Sequence, residues 1–83
     1  MEIGVEISLY PLNPDYIPPI QSFIDRINAH GGLRVVTNSM STQIFGEFDR
    51  LMPLLNAEMR RSFADNDKAV FVMKVLGPLA AAR

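Results

Sequence analysis

From Ile3 to Tyr10 the chain alternates: Ile3, Val5, Ile7 and Leu9 are aliphatic, with Gly4, Glu6, Ser8 and Tyr10 between them. Successive side chains of a strand point to opposite faces, so this period of two predicts a strand with one face on a core. Pro11, Asn13 and Pro14 end it, since proline cannot donate to a ladder. The period then changes. Ile17, Ile20, Phe23, Ile24 and Ile27 recur at helical spacing, with Gln21, Asp25, Arg26 and Asn28 on the opposite side. Asp15 is the candidate N-cap, and Pro18 and Pro19 fall in the first turn, where a missing N–H costs little. Gly31-Gly32 supplies the left-handed stop that a helix end favours.

Two β-rich runs follow, Leu33 to Thr37 and Thr42 to Phe48, joined by Asn38-Ser39-Met40-Ser41. They read as a hairpin with a four-residue polar connection. Ile44 and Phe45 are adjacent, so alternation leaves the facing of the third strand open. Asp49 is the candidate cap of a second helix, with Pro53 placed in its first turn. Its apolar stripe is Leu51, Leu55, Met59 and Phe63, joined by Met52 and Leu54, and Asp65-Asn66-Asp67 breaks it. Ala69 to Leu76 is the last strand, stopped by Gly77-Pro78. The remaining tail has no evident partner and is expected to fray. The order β-α-β-β-α-β, with two right-handed crossovers split by a hairpin, implies a ferredoxin-like α+β fold. Its four-stranded antiparallel sheet carries both helices on one face. Residues 1–83 are expected to form one such domain, with a core from about residue 3 to residue 76 and a tail over 77–83.

Composition narrows the function classes. At 83 residues a domain buries only roughly 60–65% of the surface its unfolded chain exposes, which leaves it marginal. The sequence holds no cysteine, so neither a disulfide nor a thiolate-bound metal adds stability. A partner subunit is the remaining candidate. The last strand points the same way. Val70, Phe71, Val72, Met73, Val75 and Leu76 put apolar groups on both its faces, interrupted only by Lys74. Helices cover one face, so a second copy covering the other is the preferred account, giving a dimer or tetramer. On that account a charge at Phe71 or Met73 would dissociate the assembly. The alternative is a core strand with a few exposed apolar groups.

The net charge of −1 offers no field for nucleic acid or an anionic membrane. The first residues lack the basic region of a signal peptide, and no apolar run approaches the ~20 residues that span a bilayer. A cytoplasmic location is the default expectation. Catalytic chemistry is also sparse. There is no Cys-x-x-Cys pair, no Gly-rich phosphate cradle, and no aromatic RNA-binding signature on the third strand. His30, near a helix end, is expected to interact with the last carbonyls and the dipole. Ser39 and Ser41 lack a nucleophile's context. Asp25, Asp49, Glu58, Asp65 and Asp67 read as caps, a turn or a solvated surface. No enzyme, metal site or cofactor is expected from this inventory.

Two polar groups remain. Glu6, Ser8 and Tyr10 share one face of the first strand, and Asn38, Ser39, Met40, Ser41 and Thr42 lead into Gln43 and Glu47. The first and third strands are central neighbours in the expected sheet, so these groups converge. Hydroxyls, amides and a carboxylate beside Tyr10 and Phe45 or Phe48 suit a flat, polar heterocycle, a cationic one included. The equal alternative is that Ser8 and Thr42 only satisfy nearby backbone while Glu6 faces water.

Val5-Glu6-Ile7-Ser8-Leu9-Tyr10-Pro11-Leu12 resembles the opening strand of the thiamine-binding YkoF-like superfamily, which ends in a Ser-Leu-Tyr-Pro pattern. The resemblance continues through Asp15-Tyr16-Ile17-Pro18. Ser41-Thr42-Gln43-Ile44-Phe45-Gly46-Glu47 is similar to that family's Ser-Thr-x-Ile-x-Gly-Glu strand. It covers residues 5–76 in order. The resemblance implies a ferredoxin-like domain that binds thiamine or its hydroxymethylpyrimidine portion without catalysis, here in the single-domain, self-assembling form. Family residues carry over to Ser8, Tyr10, Ser41, Thr42 and Glu47, and with Asn38 they make up the candidate ligand set. Tyr10 and Glu47 also have purely structural readings, at a strand end and before a helix. On the binding reading, an aminopyrimidine edge meets hydroxyls and amides, and a thiazolium favours Glu47 or Glu6. The competing class is an oligomeric interaction or regulatory module that senses another small metabolite.

Overall fold

The computed structural model describes residues 1–66 and 68–80. The elements follow the predicted order: β1 (Glu2–Pro11), α1 (Ile17–Ala29), β2 (Arg34–Thr37), β3 (Thr42–Glu47), α2 (Phe48–Asp65) and β4 (Ala69–Leu76). The antiparallel sheet runs β2-β3-β1-β4, which puts β1 and β3 in the middle. Asp67, the last residue of the predicted helix break, and residues 81–83 of the tail lie outside the described residues.

Register settles the facing that alternation left open. Val5 pairs with Ile44 and Ile7 with Thr42, so Thr42 and Ile44 share the face of Ile3, Val5, Ile7 and Leu9. All six are buried. Phe23 and Ile27 of α1 and Leu51 and Leu55 of α2 close on that face and complete the core. The other face carries Glu6, Ser8, Gln43 and Phe45 in the centre. Phe45 lies against β1 because Gly4 stands opposite it; a Cβ at position 4 would come 3.0 Å from the Phe45 ring.

On β4 the inward residues are Ala69, Phe71 and Met73, opposite Pro11, Leu9 and Ile7. Phe71 packs between Phe23 and Phe63, with ring centroids 5.1 and 5.4 Å away. The outward residues are Val70, Val72, Lys74 and Leu76, and all four are exposed. This corrects the expectation that Phe71 and Met73 belong to the uncovered face: pairing with Leu9 and Ile7 turns them toward the helices.

The helix ends are held differently from the sequence expectation. Asp15 does not cap α1; Tyr16 occupies the cap without a side-chain bond, and the Asp15 amide instead donates to Asn13 Oδ1 at 2.8 Å. Asp49 does not cap α2, because the helix begins one residue before it. Strand pairing runs out to Glu2 and Glu47, which brings Met1 beside the helix start. The Met1 carbonyl accepts from the Phe48 amide at 2.9 Å and the terminal ammonium donates to Glu47 Oε1 at 2.6 Å. Pro53 therefore lies inside α2, past the first turn. Gly32 does supply the left-handed stop after α1, with φ of +79°. In the tail, the Leu79 amide donates to the Glu2 carbonyl at 2.8 Å, a partner the sequence did not disclose.

The helices are joined on their outer side by a part-buried polar cluster. Arg26 Nε donates to Glu58 Oε1 at 2.7 Å, and its terminal nitrogens donate to Ser22 Oγ and Ser62 Oγ at 2.9 and 2.8 Å. His30 Nε2 is 3.0 Å from Glu58 Oε2, so its partner is this carboxylate rather than the helix-end carbonyls expected. No helix among the described residues is long and apolar enough to cross a membrane.

Candidate functional site

A cavity of about 390 Å³ lies between α1 and the end of β1, against the β2–β3 connection. Three stretches of chain wall it. The end of β1 contributes Ile7 to Pro11, α1 and its cap contribute Tyr16, Ile20, Phe23 and Ile24, and the hairpin contributes Thr37 to Thr42. The sheet supplies the reason these meet. Ile7 pairs with Thr42, so the turn of the hairpin lies beside the last residues of β1. The helix is tethered there because only a short connection separates Pro11 from Ile17.

The hairpin turn is organised by one side chain. Asn38 Oδ1 accepts from the amides of Met40 and Ser41 at 2.8 and 3.0 Å, while the Asn38 amide donates to the Ser41 carbonyl at 3.0 Å. Such an Asx arrangement lets a side chain replace backbone partners in a tight turn. Ser8 Oγ donates to the Met40 carbonyl at 3.4 Å and so links β1 to the turn. Ser41 Oγ donates to Glu6 Oε2 at 3.2 Å, and Lys74 Nζ stands 3.6 Å from Glu6 Oε1. Thr42 is buried, and its hydroxyl is 3.3 Å from that of Thr37.

Five of the six candidate residues therefore meet at one cavity: Ser8, Tyr10, Asn38, Ser41 and Thr42 all line it. Glu47 does not. It ends β3 five residues from Thr42, about 16 Å along the strand, and it is engaged with the N-terminus. The aromatic neighbours also differ. Phe45 faces the open side of the sheet beneath the Arg34 guanidinium, which lies 3.9 Å from its ring centroid, and Phe48 starts α2. The aromatic walls are Tyr16 and Phe23, while the Tyr10 ring turns to the open face of the sheet. Tyr16 and Thr37 were not among the candidates. The signal for Tyr16 was its place in the helix-entry motif, and that for Thr37 was its position directly before the polar turn.

The cavity joins apolar and aromatic walls to hydroxyls and an amide at one end. A small, flat, polar ring is the kind of molecule such a lining suits, since the ring face meets aromatic and aliphatic groups and its edge meets hydroxyls. A model of the YKOF-related family matches residues 2–75. The chain belongs to the YKOF-related family. Solved structures agree on the fold. A Streptococcus pneumoniae protein superimposes with a TM-score of 0.87 at 22% identity, covering 95% of this chain and 89% of that one. A Thermotoga maritima protein, provisionally assigned to thiamine biosynthesis/salvage, gives 0.81 at 19% identity over 90% and 82% of the two chains. A hypothetical Methanocaldococcus jannascii protein gives 0.80 at 21% identity over 96% and 84%. Among curated proteins, none matches this member of the YKOF-related family.

Proposed function

We propose that this chain binds thiamine or its hydroxymethylpyrimidine portion without catalysing a reaction, and that it does so as an assembly of identical chains. One observation carries the binding reading: five residues singled out from the sequence line a single cavity of about 390 Å³ together with Tyr16 and Phe23. That volume falls in the range of small-molecule sites. Membership of the YKOF-related family and the likeness to the Thermotoga protein support a thiamine-related ligand. The ring enters between α1 and β1, and its amino and ring nitrogen groups meet the Thr37 and Thr42 hydroxyls. The lining is made of hydroxyl, amide, aromatic and aliphatic groups, which bind and orient a ring, and it holds no carboxylate, imidazole or amine for proton transfer.

Self-association is supported by the open sheet face. Tyr10, Val36, Val70, Val72 and Leu76 are exposed there, a concentration of apolar surface that a small protein usually covers.

Calorimetric titration with thiamine and hydroxymethylpyrimidine tests the binding reading. Saturable heat is expected from the wild-type chain, and Thr42→Val should weaken affinity about tenfold by removing one hydroxyl without changing volume. Silence from both ligands with a folded protein would sink the reading and leave a module that senses another metabolite.

A further inference from the structure

We infer that the cavity takes the free alcohol of its ligand and rejects the phosphate ester, so that the protein acts before a phosphoryl-transfer step rather than after it. The inference rests on the reading given under Proposed function and names the form of ligand that this site holds.

Proteins usually hold phosphate with basic side chains, with the free amides of a helix N-terminus, or with a nest of amides in a turn. Among the described residues the cavity lining contains no Lys, Arg or His, and no Asp or Glu either. Helix α1 begins at the cavity, but Pro18 and Pro19 occupy its first turn and remove two of the amides an anion would use. In the hairpin turn three of the backbone amides are already taken. Those of Met40 and Ser41 donate to Asn38 Oδ1, and that of Asn38 donates to the Ser41 carbonyl. The side-chain oxygen of Asn38 thus uses two amides that a phosphate oxygen could otherwise take.

A negative charge stands behind one wall. Ser41 lines the cavity and donates its hydroxyl to Glu6, which places a carboxylate directly behind that wall. Lys74 is near the same carboxylate, on the open face of the sheet and outside the cavity lining. A phosphate monoester carries about −1.5 to −2 charges at neutral pH. Placed here it would give up hydration without gaining a cation from the lining, and an unmatched buried charge is costly. A neutral alcohol arm meets no such penalty, because it brings no charge to desolvate and its hydroxyl both donates and accepts.

The test is a paired titration of the full chain, in buffer free of phosphate. The probes are 4-amino-5-hydroxymethyl-2-methylpyrimidine, its phosphate monoester, thiamine and thiamine monophosphate. Both free alcohols should bind at least about tenfold more tightly than their esters. Equal or tighter binding of the esters would overturn the inference while leaving the vitamin-binding reading standing. Absence of binding by all four would overturn that reading, and this inference with it. A second variant set checks the cause. Restoring amides with the double change Pro18→Ala and Pro19→Ala, or adding a cation with Ser39→Lys, should narrow the alcohol-to-ester ratio at least about threefold. An unchanged ratio in folded variants would overturn the assignment of exclusion to these features.

Discussion

At the scale of single residues, polar side chains here serve mainly to satisfy one another. Asn38 shapes the turn beside the cavity, and Glu47 anchors the N-terminus. Glu58 is the most consequential. Burial pushes its carboxyl up, but hydrogen bonds from His30 and Arg26 and the charges of both outweigh that, so it titrates below its ordinary 4.5. A carboxyl depressed by folding adds stability that is fully present above its ordinary value and is lost as pH falls through the folded value. The wild-type melting temperature should therefore drop more steeply between about pH 5 and pH 3 than that of Glu58→Gln, which should itself be about 2 kcal/mol less stable at neutral pH. Parallel melting curves for the two proteins would remove Glu58 as a source of acid sensitivity. The sequence disclosed the residue types of this cluster but not the pairing, because Arg26 and Glu58 stand 32 residues apart and meet only when the helices pack.

At the scale of elements, periodicity carried most of the information. The alternation in β1 and the helical spacing of Ile20, Phe23, Ile24 and Ile27 each record one face pressed on a core. Helix starts were less legible. An aspartate before an apolar run is a good cap signal, but at α2 the Met1 carbonyl does that work from the far end of the chain. The shifted start leaves Pro53 as the sixth residue of α2, where it lacks the amide that would bond back to the Asp49 carbonyl. Pro53→Ala should therefore stabilise the protein by about 1 kcal/mol or more, measured by denaturant titration. A loss of stability instead would mean that the fold needs the altered helix geometry at that point.

At the scale of the whole molecule, the sheet has one face under the helices and one without them. The uncovered face is where self-association is proposed, and its residues on β4 are Val70, Val72 and Leu76. Val72→Lys should convert an assembly into a species of 9.3 kDa in light scattering, with unchanged far-ultraviolet dichroism. Phe71→Lys should behave differently. It removes a ring packed between Phe23 and Phe63 and buries a charge, so it should cost about 3 kcal/mol and unfold the chain rather than dissociate it. A wild-type protein that already runs as a monomer would end the assembly proposal.

The order of elements, the hairpin, the inward face of β1 and the stop at Gly32 were all determined by the sequence itself, because each depends on interactions between near neighbours. The nearness of Ser8, Tyr10, Asn38, Ser41 and Thr42 was legible too, since a hairpin pairing with a first strand brings those stretches together whatever the detail. Tertiary structure alone decided the rest. It turned Thr42 and Ile44 inward through pairing with Ile7 and Val5, carried Glu47 to the far end of the sheet, and swung Phe71 under the helices. It also spent the Asn38 side chain on its own turn. The physical reason is common to these cases. A period fixes which side of an element is apolar, whereas register between distant segments fixes which atoms meet.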